Sequence, residues 1–306
     1  MTGPVCACDR DTSPARSPLV AAALDLAGVG AMTRRPCITS SSNRRLKRVR
    51  RLRRCSRRDG VFLVEGFRQV ACALEAEARV RELYISPELY LGSSEGGLAS
   101  LAERRGAVVV ELSAGAFEWI SGGRPDGIAA VVERWPTTLD TLRLGPTPLL
   151  LLVAEAVERP GNLGTIVRTA CGAGADALVV CDSRTDAFHP DVVRGSVGTL
   201  FKLPLAESDT ATAIAWLRKR QVRIVVATPD ADQPHWGPNY SGSTAIVVGN
   251  ERYGLTPPWL EGADERVQIP LPGPTDSLNV GVAAGIVLFE AARQRTAALP
   301  QRSQAG

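Results

Sequence analysis

Apolar and polar positions divide the chain near residue 135. Between Val61 and Trp135, short apolar runs alternate with helical stripes. A strand is predicted at Val61 to Val64, then a helix with Phe67, Val70 and Leu74 on one side, then a strand around Leu83 to Ile85. A helix rich in alanine, leucine and glutamate follows from Glu88 to Arg105, leading into the strand AVVVELS. The last apolar strand, within PDGIAAVVERW, ends at Trp135. Strands alternating with helices predict a small α/β domain over 60–135. The stretch PTTLDTLRLGPTP contains three prolines and reads as an interdomain linker over 136–147.

From Leu149 the pattern changes to fully apolar runs, LLLLVAEAV, DALVVCD, RIVVATP and TAIVVGN, separated by helices and polar or glycine-containing turns. Such runs fit a mainly parallel sheet covered on both faces, an α/β domain spanning 148–297 with a disordered tail at 298–306. Leu163, Ile166, Val167, Ala170 and Cys171 form one helical stripe, which leaves Arg168 off that stripe and Asn162 at the helix start. In the last helix Leu278, Val282, Ile286 and Phe289 recur at helical spacing and predict a buried face. Open parallel sheets bind ligands at the carboxyl ends of their strands, so chemistry is expected in the turns that follow them.

Composition adds one asymmetry. Of 306 residues 44% are hydrophobic and 22% charged, enough for about two domains, and the formal net charge is +4. Residues 33–58 carry twelve arginines or lysines and no acid, leaving 24 basic against 32 acidic residues elsewhere. Leu46, Val49, Leu52 and Cys55 recur every three residues within this basic stretch. A basic arm or helix over 33–59 is therefore predicted, with Arg44, Arg45, Lys47 and Arg48 as candidate phosphate contacts; the alternative is a solvated arm. Seven cysteines without CxxC spacing argue against a disulfide framework, and with only two histidines against a metal centre. Reduced thiols in the cytoplasm are expected, and no membrane span, because no apolar run reaches about 18 residues. Residues 1–32 are expected to be a disordered tail, with Met32 as an alternative start.

Three turns carry candidate chemistry. In VVGNERYGLTPP, Gly249 permits close backbone approach, Asn250 and Glu251 bring polar groups to a strand end, and Gly254 with Pro257 and Pro258 stiffens the loop. IPLPGPTDS, from Ile269, is a shaped loop that delivers Ser277. Ser277 and Asn279 sit at the mouth of the last helix, whose unsatisfied N–H groups suit an anion or electron-rich atom, and Ser277 is either a helix cap or a site residue. Gly172 and Gly174 do not make a dinucleotide fingerprint, since they end a helix and precede a strand.

The stretches N-L-G-T-I-V-R from Asn162 to Arg168, V-G-N-E-R-Y-G from Val248 to Gly254, and S-L-N-V-G-V-A-A-G-I from Ser277 to Ile286 together resemble the three motifs of the SpoU (TrmH) family. This is a branch of the SPOUT class of RNA 2'-O-ribose methyltransferases. HPDVVRGSVGTLFKLPL, with Arg194, Ser196 and Gly198, resembles the segment between the first two motifs. FLVEGFRQV and PDGIAAVVE resemble the accessory RNA substrate-binding domain of ribosomal-RNA members, an α/β module related to ribosomal RNA-binding proteins.

The resemblance implies a deep trefoil knot in the second domain and S-adenosylmethionine bound within it, with Val248, Gly249, Ile269, Leu271 and Leu278 as contacts. It implies Arg168 as the catalytic arginine, acting as base or electrostatic stabiliser, and Asn162, Glu251, Ser277 and Asn279 as further active-site positions. Arg194 joins the candidate RNA contacts. A homodimer sharing active-site groups is implied, with structured RNA, most of all large-subunit ribosomal RNA, as substrate. Transfer RNA, or a non-catalytic RNA-binding protein of the same fold, are the alternatives. Gly281 departs from the family pattern, where many members carry serine, and is expected to loosen the helix start.

Overall fold

The computed structural model describes residues 35–54, 59–123 and 125–297. The predicted tails at 1–32 and 298–306, and Cys55, lie outside the described residues. The chain forms two compact units, one comprising residues up to Trp135 together with 186–202, the other residues 136–185 and those from Leu203 onward.

In the first unit β1 (Cys37–Ile38), α1 (Arg44–Leu52), β2 (Val61–Glu65), α2 (Phe67–Glu75), β3 (Val80–Ile85), α3 (Glu95–Arg104), β4 (Val108–Leu112), α4 (Ala114–Ile120) and β5 (Ile128–Glu133) build a five-stranded mixed sheet in the order β1-β4-β3-β5-β2. The helix expected from Glu88 starts seven residues later, after a 3-10 turn at Pro87–Leu89. Gly92 and the two serines after it carry low helix propensity. The Glu95 carboxylate instead accepts the N–H groups of Leu91 and Gly92 at 3.1 and 2.9 Å. Of the basic stretch, Cys37–Ile38 form a strand and Arg44–Leu52 a helix, whose Leu46, Val49 and Leu52 are all buried within the same apolar cluster as Phe117 and Ile120 of α4. Asn43 caps it, accepting the Arg45 N–H at 2.9 Å.

The second unit opens with β6 (Leu150–Glu155), α5 (Pro160–Gly172) and β7 (Ala177–Cys181). The next helix, α6 (Pro190–Gly195), and a 3-10 turn at Thr199–Phe201 fall in the segment that packs with the first unit. There Phe201 stacks on Phe62, Phe188 packs edge-on against Trp135 and tilted against Phe62, and Arg134 grips Asp186 through two hydrogen bonds of 2.8 and 2.9 Å. Aromatic pairs of this kind add about 0.5–1.5 kcal/mol each beyond the area they bury.

The chain then returns through β8 (Leu205–Ser208), α7 (Thr210–Lys219), β9 (Arg223–Ala227), β10 (Gln233–Pro234), β11 (Thr244–Val248), α8 (Pro257–Glu261), β12 (Glu265–Gln268) and α9 (Val280–Ala297). Its sheet runs β10-β12-β9-β11-β6-β7-β8, with every pairing parallel. The central strands β6 and β11 are buried along their whole length, as expected of apolar runs covered on both faces. The pattern of apolar positions does not reveal β8, β10 and β12, because they are short and carry few apolar residues.

The face of α9 that packs inward is not the predicted one. Val280, Ala284, Val287, Leu288 and Ala291 are buried, whereas Val282 and Phe289 are 50% and 53% exposed. Both stripes have helical spacing, and the small residues of the first win the position against α5. A Cβ added at Gly281 would stand 2.8 Å from Thr165 Cγ2, and one at Gly285 would stand 3.2 Å from Thr169 Cγ2. Gly281 therefore secures a close helix approach and does not merely loosen the helix start. Gly281→Ala is expected to destabilise by about 1–3 kcal/mol through overpacking. Thr165→Ser on that background removes the offending methyl and should restore most of the loss in denaturant unfolding.

Candidate active site

Because every strand of the second sheet is parallel, all carboxyl ends lie along one edge, and the turns after β6, β11 and β12 emerge there. Asn162 lies in the first turn of α5, Glu251 follows β11, and Asn279 precedes α9. The fold brings these three together. Asn279 Nδ2 donates to Asn162 Oδ1 at 2.9 Å, and Asn162 Nδ2 donates to Glu251 Oε1 at 2.5 Å. The order of donors and acceptors is consistent along the chain, so each amide has one orientation.

Asn279 also caps α9, its Oδ1 accepting the Gly281 and Val282 N–H groups at 3.0 and 3.4 Å. Ser277 is not the cap. It is exposed, and its carbonyl accepts the Thr275 hydroxyl at 3.0 Å. Arg168 is exposed too, and among the described residues it has no ion pair. Six residues beyond Asn162, it is turned by about 240° around the helix and displaced about 9 Å along it. Arg168 is thus on a different side of α5 from Asn162 and, among the described residues, makes no bond to the Asn279–Asn162–Glu251 chain.

The loop after β11 is held closed by Asn250, which is 8% exposed. Its Oδ1 accepts the N–H groups of Arg252 and Tyr253 at 2.8 and 3.0 Å, its Nδ2 donates to Ala156 O at 2.9 Å, and its main chain bridges to Gly254. Gly249 is required by this closure. A Cβ there would meet Gly254 C at 2.5 Å and Gly254 O at 2.6 Å. Arg252 lies over the ring of Tyr253, whose side chain is 70% exposed beside Glu251.

Val248 is buried, while Gly249, Ile269, Leu271 and Leu278 are half-buried along the carboxyl edge. Among the described residues, the N–H groups of Ile269, Leu271 and Gly273 have no hydrogen-bond partner, and the prolines between them have no N–H to offer. Half-buried apolar side chains beside unpaired main-chain donors suit a small ligand held largely by backbone.

Of the basic candidates in the first unit, Arg44 and Lys47 are exposed and, among the described residues, without an ion pair. Arg45 and Arg48 reach Glu82 at 3.8 and 3.4 Å. Arg194 is tied to Asp191 at 2.8 Å and to Glu65 at 3.4 Å. Two residues that the sequence pattern does not single out also converge on the carboxyl edge of the second sheet: Glu155, which ends an otherwise apolar strand, and Thr256.

An open parallel sheet with a polar cluster and a glycine-dependent loop at its carboxyl edge defines an α/β ligand-binding domain of the topological class in which ligands sit beyond the strand ends. The model of the SpoU rRNA methylase family matches residues 149–289, and that of an MRM3-like substrate-binding domain matches 43–130. A 23S rRNA (guanosine(2553)-2'-O)-methyltransferase from Bacillus subtilis (strain 168), RlmP, is 32% identical over 257 residues, covering 82% of this chain and 97% of its own. A crystal structure of an RNA 2'-O ribose methyltransferase is 34% identical with a TM-score of 0.76, covering 85% of this chain and 100% of that one. The SpoU methyltransferase AviRb from Streptomyces viridochromogenes, solved with the cofactor AdoMet, is 28% identical with a TM-score of 0.75, covering 83% and 100% respectively. The chain belongs to the SpoU rRNA methylase family.

Proposed function

We propose that the protein transfers a methyl group from S-adenosylmethionine to a ribose 2'-hydroxyl of large-subunit ribosomal RNA. The observation that carries this reading is the hydrogen-bonded chain Asn279–Asn162–Glu251, assembled from three separate stretches beside the loops that would hold the cofactor. The names of the relatives favour ribosomal over transfer RNA. Cytoplasm, where ribosomal RNA is reached, is the location that follows.

Val248, Gly249, Ile269, Leu271 and Leu278 would hold the cofactor, within the trefoil knot that the family resemblance implies. When bound, S-adenosylmethionine supplies a methyl group already activated by its sulfonium. The protein's own task is then alignment. Asn162 and Asn279 fix each other's amides and present polar groups to the ribose, and Ser277 is exposed beside them. Arg168 stabilises the ribose oxygen as its proton passes to solvent water and the methyl group leaves sulfur for that oxygen. A guanidinium that keeps its charge suits that role better than proton abstraction.

Arg168 is proposed to serve the site of a second copy. Val282 and Phe289 are exposed on one face of α9, with Ile286 half-buried between them. Three large apolar residues in a row along an exposed helix face suit an isologous contact with the same face of another protomer. Phe289→Asp is expected to shift the protein from dimer to monomer in sedimentation and to lower methyl transfer with it. In the first unit Arg44 and Lys47 would contact phosphate, giving salt-dependent affinity without sequence readout.

The test is transfer of label from S-adenosylmethionine to large-subunit ribosomal RNA and to transfer RNA, followed by alkaline hydrolysis. A 2'-O-methyl group removes the hydroxyl that attacks the neighbouring phosphate, so label is expected in alkali-resistant dinucleotides of the ribosomal RNA. Label confined to transfer RNA would change the substrate. RNA binding without any label would leave a non-catalytic binding protein.

A further inference from the structure

Glu155 is the last residue of β6, only 1% exposed, and among the described residues it has no cationic partner. A carboxylate in that setting is costly unless donors satisfy it. Two come from Thr256, N donating to Oε2 at 2.9 Å and Oγ1 to Oε1 at 2.5 Å, and Thr210 Oγ1, 3.0 Å from the same oxygen, has a single proton that Glu155 and Asp182 compete for. Thr210 is itself fixed by Trp259 Nε1 at 3.1 Å and by Asp182 Oδ2 at 2.7 Å. The next residue, Ala156, adopts a left-handed backbone with φ of 51° and offers its carbonyl to Asn250 Nδ2 at 2.9 Å. Two consecutive residues at the end of β6 thus tie both ends of the loop Asn250–Thr256, which carries Glu251 and folds back on Gly249.

We propose that Glu155 is a positioning residue for methyl transfer: its buried carboxylate sets the placement of the 249–256 loop, and through it the Glu251 side chain and the main chain at Gly249. The assignment rests on the proposed function for its catalytic consequence but not for its structural one. An acceptor-only group is required, because both groups that face Glu155 from this loop donate. Glu155→Gln keeps the shape but turns an N–H₂ group against those donors. Thr256→Val removes one of the two bonds from Thr256, and Thr256→Ser keeps both.

The experiment compares the full chain with Glu155→Gln, Thr256→Val and Thr256→Ser. It uses three readouts: deuterium uptake of peptides covering 249–256, calorimetric binding of S-adenosylmethionine, and kcat and KM for methyl transfer. Faster exchange confined to 249–256 and cofactor binding weakened at least tenfold are expected in Glu155→Gln. kcat/KM should fall on the order of 10²-fold, the scale of a displacement of about 1 Å away from the chemistry. Thr256→Val should move all three the same way by less, and Thr256→Ser should match the parent. Unchanged loop exchange and unchanged cofactor affinity in Glu155→Gln, with only a lowered Tm, would overturn the proposal and leave Glu155 a structural residue. If the parent chain binds no S-adenosylmethionine, the proposed function fails, while the exchange readout still decides whether Glu155 places the loop.

Discussion

Arg168→Ala is expected to lower methyl transfer by about 10²–10³-fold, the scale seen when one group that stabilises a developing oxyanion is removed. Cofactor binding and thermal stability should change little, because the side chain is exposed and, among the described residues, has no ion pair. Its placement adds a sharper expectation. Arg168 is turned by about 240° from Asn162 on the same helix, while Asn162 is bonded to Glu251 and Asn279. If the arginine serves the partner's site, Arg168→Ala and Asn279→Ala protomers complement each other. Mixed under exchanging conditions, they form heterodimers with one intact site, and activity should rise to roughly a quarter of the parent value on random dimer assembly. Additive, uncomplemented loss would place Arg168 in the site of its own chain or remove it from the reaction.

The second large effect is expected at Gly249. An alanine methyl would stand 2.5 Å from the Gly254 carbonyl carbon and 2.7 Å from Leu255 N, and neither backbone group can rotate away. A loss of at least about 3 kcal/mol follows, at the upper end of overpacking costs. For a domain of this size that lowers Tm by about 6–12 °C. Binding of S-adenosylmethionine should be lost in the same variant even well below its Tm, since the loop that closes through Asn250 can no longer fold back on itself. A Gly249→Ala variant that melts and binds like the parent would mean that this loop adopts another course in solution.

Sequence spacing locates Asn162, Glu251 and Asn279 correctly on separate turns, because apolar runs of strand length end where polar and glycine residues begin. It does not separate the roles of Ser277 and Asn279. Both are good helix caps, and the choice depends on where the chain from Ile269 enters α9, which is decided by packing. The buried face of α9 differs from the predicted one for a related reason. Val282, Ile286 and Phe289 form as regular a stripe as Val280, Ala284, Val287 and Ala291, and bulk alone favours the former. What selects the latter is the small-residue surface presented by Gly281 and Gly285 to Thr165 and Thr169. Periodicity reports amphipathic character, not which of two stripes meets the neighbouring helix. Glu155 is invisible to the same reading because a single acid at the end of an apolar run looks like the start of a solvated turn. Only the arrival of Thr256 and Thr210 from more than fifty residues away makes its burial tolerable.

By itself the sequence determined the alternation of strands and helices, the parallel character of the second sheet and the three turns that meet at its carboxyl edge. These are properties of local hydrophobic period and turn chemistry, written in neighbouring residues. The tertiary structure alone decided that residues 186–202 pack with the first unit and that Asn279 caps α9. It also decided that a buried carboxylate at the end of β6 receives Thr256 from the loop that carries Glu251. Each of these depends on which distant groups compete for the same small volume, and that competition is resolved only when the elements pack.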